Sequence, residues 1–423
     1  MTAEERALRH LRDARRRRIY ARRRWLVFGT TALIVLGLVY VVMGAAAPLK
    51  AAAFTPSAAA TAVAKGKAAA PAWPPYGEAA IGIVGQNGLI AQRGARKTVP
   101  IASITKTITA LMVLKAKPIA AGETGPLITF TKKDVAILHQ VEAEYGAWQN
   151  IWAGLSMTEL DALNVMLVPS ANNYAISLAT WAYGSVPAYL TAANAWLAAQ
   201  GLADTHLADA SGLDSGSVSD AGDLVALGKL VAADPTLAPI VAKKHFTLAA
   251  LGTMDNTNTA LGVGGVDGIK TGHTDQAGYC LLFSASVKIY GQARTIVGVV
   301  LDLRSYDDLK KYVPRLVASI AAGYQTLDPT GAGTTALGTL TTAWGASTPV
   351  VAQKAATVQV YGDAPVTAVL DVGRLRPGTA AGSTVGTVTF DGGAHSVSVP
   401  LATTTTVYGP DYGWRLSHPW DWF

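Results

Sequence analysis

The 423-residue chain is predicted to fold as an α+β domain, an antiparallel sheet with a helical block, followed by a small all-β domain and preceded by one transmembrane helix. Three observations predict this. An uncharged, strongly apolar run lies at 25–49, just after two arginine clusters. Between about 77 and 326 come a hairpin pattern, a block of helical patterns, two more strands and a closing helical pattern. Beyond Asp328 the apolar residues alternate with a period of two.

Residues 1–24 form a basic tail with ten arginines and three acids, which accounts for the whole net charge of +7. The rest of the chain is neutral, so the basic folded face that nucleic acid requires is excluded. The apolar part of the next segment, 25–47, matches the roughly 20 residues that cross a bilayer as a helix. Arg15–Arg18 and Arg22–Arg24 stand before it, which puts the N-terminus in the cytoplasm and the remainder outside the cell membrane. Ala45-Ala46-Ala47 resembles a signal cleavage site, but the apolar run exceeds the roughly 7–15 residues of a signal peptide, so an uncleaved anchor is expected. Residues 48–76, rich in Ala and Pro, read as a tether.

The main domain, 77–326, opens with a hairpin at 79–92 turning at Asn87-Gly88. A helix at 103–115 carries Ile108, Leu111, Met112 and Leu114, and helical patterns recur at 157–168, 173–183 and 187–200. Strands at 279–287 and 293–301 flank a turn at Tyr290-Gly291, and a helix at 306–324 closes the domain. Cys280 is the only cysteine and lies in an apolar run, so it reads as a buried strand residue, and an intramolecular disulfide is excluded. A small β domain, 329–405, follows with short strands near 357–361, 366–370, 385–390 and 396–401. The aromatic tail, 406–423, is expected to pack on that domain, with contact to a lipid interface as the alternative.

Three motifs stand in order. Ser103-Ile104-Thr105-Lys106 opens a helix, Ser170-Ala171-Asn172 lies between two helical segments, and Lys270-Thr271-Gly272 sits at a strand edge. Serine is a weak nucleophile at neutral pH and needs an adjacent base. Three residues on along a helix, Lys106 shares a face with Ser103. A lysine can accept a proton only where burial or a nearby cation lowers its pKa, and Lys270 is the candidate cation. Ser170 and Asn172 offer a hydroxyl and an amide to relay a proton and hold Lys106. Lys270 and Thr271 suit recognition of a carboxylate, and Gly272 is expected to let substrate backbone approach the strand. The seven histidines show no ligand spacing, so neither metal nor cofactor is expected.

With their flanks, these motifs resemble the penicillin-recognising serine enzymes, and most nearly their low-molecular-mass D-alanyl-D-alanine carboxypeptidases. The likeness extends over I-A-S-I-T-K-T-I-T-A (101–110), M-L-V-P-S-A-N-N-Y-A (166–175), D-A-S-G-L (209–213), N-T-N (256–258) and V-D-G-I-K-T-G-H-T-D-Q-A-G-Y (266–279). The resemblance implies a β-lactamase/transpeptidase-like domain. It also implies a serine peptidase that trims the terminal D-Ala from peptidoglycan stem peptides in cell-wall synthesis and is inhibited by β-lactams. Ser103 would be acylated, Lys106 would be its base, and Ser170 and Asn172 would form the second wall of the cleft. Lys270 and Thr271 would bind the terminal carboxylate, and the backbone N–H groups of Ser103 and His273 would form the oxyanion hole, with the His273 ring lining the cleft. Arg304 is the candidate for the arginine that the family uses after its last strands. Cross-bridge cleavage by a D,D-endopeptidase uses the same residues and is the alternative; a β-lactamase or a non-catalytic wall-binding protein fits less well. Glu159 is the last glutamate in the chain, so the glutamate-activated water of a class A β-lactamase is missing and slow release of β-lactams is expected.

Overall fold

The computed structural model describes residues 3–61, 64–393 and 396–422. They divide into two compact units, one of residues 67–325 with 361–363, the other of 1–66, 326–360 and 364–423.

The first unit is built on a five-stranded sheet. Its strands are β1 (Glu78–Ile83), β2 (Ala91–Arg93), β3 (Val266–Thr274), β4 (Gly278–Ile289) and β5 (Gln292–Leu303), in the spatial order β3-β4-β5-β1-β2. All neighbours are antiparallel, and Lys270, Thr271 and Gly272 on the edge strand β3 face Leu282, Leu281 and Cys280 of β4. Along β4, Cys280 and Leu282 point into one core while Leu281, Phe283 and Ala285 point into the other. This sheet is covered on both faces, which explains why its central strands read as continuous apolar runs. Cys280 is fully buried, and burial pushes its thiol up to about 12.

On the first face lie α1 (Thr105–Ala116), α2 (Glu159–Leu167), α3 (Asn172–Tyr183), α4 (Val186–Ala199) and α5 (Ala221–Ala233). On the second lies α6 (Tyr306–Ala322), which buries Leu309, Val313, Leu316, Val317 and Ile320. Ser305 caps α6 by accepting from the Asp308 N–H at 3.1 Å. Residues 67–76 belong to this unit, with Trp73 and Tyr76 packed on the second core.

Glu159 starts α2 with a fully buried carboxyl that has no hydrogen-bond partner among the described residues. Burial raises its pKa to about 7, against a smaller opposing pull from Lys117. The folded state therefore holds a proton that the unfolded chain releases near 4.5. Stability from this group is complete below that value and is lost as pH rises through about 7. Glu159→Gln is accordingly expected to raise stability at pH 8 by on the order of 1–2 kcal/mol and to change it little at acid pH. Thermal melts of both proteins across pH check this; equal melting temperatures at pH 8 would refute it.

The second unit begins with one continuous helix, Ala3–Ala46, whose large apolar side chains between Trp25 and Met43 are exposed. Its sheet has seven strands, in the order 53–56, 336–341, 347–352, 396–403, 384–391, 365–372 and 64–65. Residues 48–76 are therefore not a simple tether. Ala53–Pro56 pairs with Ala336–Thr341, setting Phe54 opposite Leu340, and Ala64–Lys65 pairs with Pro365–Val372. An edge strand needs only one row of backbone partners, so an Ala-rich segment with no side-chain alternation can still join a sheet. Leu337, Leu340, Val350, Val388, Phe390, Val399 and Leu401 form the core of this unit. The aromatic tail packs Trp414 edge-on against Trp344 of the β domain, at 6.2 Å, and also lies on the N-terminal helix.

Candidate active site

Ser103 sits in a single 3-10 turn, Ala102–Ile104, that leads into α1. Ile101 and Ile104 are fully buried beside it and fix the turn in the core. Ala102 adopts a left-handed conformation with φ of 46°, an uncommon state for a residue with a Cβ. Gly212 answers it from the facing loop: a Cβ there would fall 1.8 Å from the Ala102 carbonyl oxygen.

Lys106 is fully buried, with Nζ 2.7 Å from Ser103 Oγ. It also donates to the Ser211 carbonyl oxygen at 2.9 Å. Burial drives the Lys106 pKa well below its ordinary value, the charge of Lys270 drives it lower still, and Asp209 partly opposes them. Lys270 is also buried, which lowers it to about 7, and it donates to the Thr271 carbonyl at 3.3 Å and to Thr257 Oγ1 at 3.4 Å. Two ammonium groups in one buried site disfavour each other, so the more strongly depressed, Lys106, is the one held as a free amine. An amine 2.7 Å from a hydroxyl can take its proton as the oxygen attacks.

The cleft is lined by Ser103, Ser170, Asn172, Thr257, Thr271, Gly272 and His273, with Tyr145, Thr274 and Tyr306 among the residues at its margins. Ser170 is held at φ 67°, and the Asn172 N–H donates to the Ala147 carbonyl at 2.7 Å. Neither side chain bonds Lys106. Asn172 Oδ1 is instead buried without a partner among the described residues, an acceptor open to an incoming N–H. Thr257 and Thr271 share a 2.5 Å hydrogen bond, so two hydroxyls stand beside the Lys270 ammonium.

Two sequence expectations change here. Gly272 faces the nucleophile's own turn, since a Cβ there would lie 2.7 Å from the Ile101 carbonyl oxygen and 3.2 Å from the Ser103 nitrogen. It permits close packing of β3 on that turn, where substrate approach was expected. Arg304 is exposed and stacks on the Tyr76 ring at 4.3 Å, and it is not among the residues lining the cleft. His273 lines the cleft, its ring stacked 4.0 Å from that of Tyr279.

One functional feature is absent from the motif reading. Asp209 gathers its own loop: its carboxylate accepts from the Ser211, Gly212 and Leu213 N–H groups and from the Ser211 and Ser217 hydroxyls, all at 2.6–3.1 Å. That loop carries the Ser211 carbonyl that holds Lys106. The D-A-S-G-L run marks the loop in the sequence, but nothing in the spacing places it under a lysine 105 residues away. Elsewhere in the unit, Asp204, Asp220 and Asp223 bring carboxylate oxygens within 4.8 Å of one another, outside the cleft lining. Asp223 there already accepts from the Asp204 N–H and the Thr205 hydroxyl.

Comparisons with known proteins place this arrangement. The chain is 27% identical over 249 residues to the D-alanyl-D-alanine carboxypeptidase DacA of Escherichia coli, covering 58% of this chain and 60% of that protein. It is 30% identical over 217 residues to a D-alanyl-D-alanine endopeptidase of Pseudomonas aeruginosa, covering 47% of this chain and 63% of the relative. The chain thus spans about three-fifths of the length of these relatives. In fold it is similar to penicillin binding protein 5 of Haemophilus influenzae, with a TM-score of 0.56, 22% identity, and coverage of 80% of this chain and 99% of that structure. A family model described as D-alanyl-D-alanine carboxypeptidase matches residues 78–305, more than half of the chain and all three motifs. This chain belongs to the D-alanyl-D-alanine carboxypeptidase family.

Proposed function

We propose that the chain is a serine-type carboxypeptidase that removes the terminal D-Ala from peptidoglycan stem peptides. The observation that carries the reading is the buried Lys106 amine 2.7 Å from Ser103 Oγ, in a cleft lined by Thr271 and by Thr257, whose hydroxyl accepts from the buried Lys270 Nζ at 3.4 Å. Lys270 and Thr271 take the terminal carboxylate of the stem, and Asn172 Oδ1 accepts from a stem amide. Ser103 Oγ gives its proton to Lys106 and bonds to the carbonyl carbon of the penultimate D-Ala. The backbone N–H groups of Ser103 and His273 hold the oxyanion. When the C–N bond breaks, the leaving amine takes a proton and free D-Ala departs. Water then attacks the ester and releases the shortened stem.

A penicillin carries a carboxylate and a strained amide that fit the same two sites, so it acylates Ser103. Deacylation is slow, because Glu159, the last glutamate in the chain, is not among the residues lining the cleft. Fluorescent penicillin is expected to label the wild type and not Ser103→Ala, and the labelled band is expected to persist through a chase with unlabelled antibiotic. Unlabelled but folded wild type would sink the proposal. The second reading, cross-bridge cleavage, draws on the endopeptidase relative. Comparing D-Ala release from a pentapeptide with cleavage of a cross-linked dimer decides between them.

We also read Ala3–Ala46 as a single-pass anchor with its arginine-rich end in the cytoplasm and the cleft outside. Support comes from the length and apolarity of the helix, with an uncharged stretch at 25–46 after the Arg15–Arg24 cluster.

A further inference from the structure

The two ends of the second unit meet. The carboxyl-terminal residues form a short helix, Tyr412–Ser417, and a turn that lie along the last two turns of the long helix Ala3–Ala46. Arg415 Nη1 donates to the carbonyl oxygens of Gly44, Ala45 and Ala47, each at 3.1 Å. These are carbonyls that the end of a helix leaves without partners. The Tyr40 hydroxyl donates to the Leu416 carbonyl, and its ring sits 5.3 Å from that of Trp422. Gly44 makes room for this packing, since a Cβ there would lie 2.8 Å from Trp422 and 2.9 Å from Leu416. Beyond the helix, the Lys50 N–H donates to the Asp421 carbonyl at 3.1 Å, and Lys50 Nζ pairs with the Asp421 carboxylate at 3.2 Å.

The position of this contact along the helix matters. From Trp25 to Ala46 the helix rises about 32 Å at ~1.5 Å per residue, close to the ~30 Å hydrocarbon thickness. Tyr40 therefore lies about 9 Å inside the outer end, among the acyl chains, and the Gly44, Ala45 and Ala47 carbonyls that Arg415 holds lie at the level where acyl chains meet headgroups. The tail held there turns Tyr412 (73% exposed) and Trp420 (66% exposed) outward. Tyrosine and tryptophan are the side chains favoured at that depth, since a ring can enter the acyl boundary while its polar atom stays hydrated. Arg415, the one basic residue of the short helix, is spent on the anchor's carbonyls and is not offered to lipid phosphates. Backbone carbonyls near hydrocarbon need a partner within the protein, and Arg415 supplies it.

We propose that residues 411–422 form a membrane-interface clamp: they lock onto the outer end of the anchor helix and seat Tyr412 and Trp420 in the headgroup boundary of the outer leaflet. The inference rests on reading Ala3–Ala46 as the anchor. The clamp fixes the angle at which the chain leaves the bilayer and resists withdrawal of the anchor.

The test uses the full chain in vesicles of phosphatidylcholine and phosphatidylglycerol. Cys280 is fully buried, so the added thiols of Trp420→Cys, Val35→Cys and Thr387→Cys can each be labelled with an environment-sensitive fluorophore. At position 420 the emission is expected to shift to the blue and to be quenched by lipids carrying a nitroxide near the headgroup. Position 35 is expected to respond to a nitroxide deep in the acyl chain, and position 387 to neither. If position 35 is quenched while 420 stays in water, the clamp is wrong and the anchor stands. A position 420 that is blue-shifted yet unquenched would mean that protein covers it, which also overturns the clamp. If position 35 is unquenched, the anchor reading fails and takes the clamp with it.

Discussion

Lys106→Met is expected to lower the rate of acylation by penicillin by about 10³-fold, within the ~10²–10⁴-fold range of general-base catalysis, while leaving a folded protein. The methionine side chain fills the lysine stem's space, so little packing is lost. What disappears is the amine 2.7 Å from Ser103 Oγ. The variant also strands the Ser211 carbonyl, which costs about 1–3 kcal/mol, but it relieves the burial of an ionisable amine, so the net change in stability is small. Stopped-flow acylation together with thermal melts separates the two effects. A variant that acylates within a factor of ten of wild type would exclude Lys106 as the base.

The pH dependence follows from the same site. The proposed mechanism requires the neutral amine of Lys106, whose pKa is lowered first by burial and then by the Lys270 charge. Acylation is therefore expected to fall on the acid side as Lys106 takes a proton, and on the alkaline side of about 7 as Lys270 loses the charge that draws in the carboxylate. Lys270→Gln removes one of the two depressing causes, so Lys106 protonates more readily and the acid limb moves to higher pH. The position of the limb is the readout, because the substitution also weakens carboxylate binding and lowers the rate at every pH. An unmoved limb would show that Lys270 does not set the state of Lys106.

Much of the site was legible because its chemistry is local. Ser103 and Lys106 are one helical turn apart, so their meeting depends only on the geometry of a single turn. The apolar run of β4 and the helical pattern of α6 were likewise properties of short segments. What escaped depends on contacts between distant parts of the chain. The Asp209 loop reaches Lys106 across 105 residues, and the tail reaches the long N-terminal helix across 376. No periodicity encodes either contact. The position of Arg304 after the last strand does not reveal that the Tyr76 ring, outside the cleft lining, offers its guanidinium a stacking partner. The strand Ala53–Pro56 was hidden because its pairing uses backbone, and its composition resembles that of a linker.

Gly272→Ala is expected to reduce both acylation and D-Ala release by about 100-fold, the lower end of the ~10²–10³-fold loss seen when one oxyanion donor is removed. The sequence alone assigns this glycine to substrate approach, whereas the structure sets it against the turn that carries the nucleophile. The new methyl group would meet the Ile101 carbonyl oxygen at 2.7 Å and the Ser103 nitrogen at 3.2 Å. Both are backbone atoms, so neither can rotate aside as a side chain would. The strand and the turn must separate, which displaces the Ser103 N–H from the position where the oxyanion forms. Overpacking of this kind also costs about 1–3 kcal/mol of stability, leaving the protein folded at room temperature. The acid limb of the pH profile should stay where it is, because Lys106 and Lys270 keep their burial. The two roles for Gly272 predict different behaviour with small substrates. A steric block to substrate alone would raise KM for a long stem peptide and spare acylation by a compact β-lactam. A shifted oxyanion donor slows both by a similar factor, and measuring the two rates on one preparation of Gly272→Ala decides which role the glycine plays.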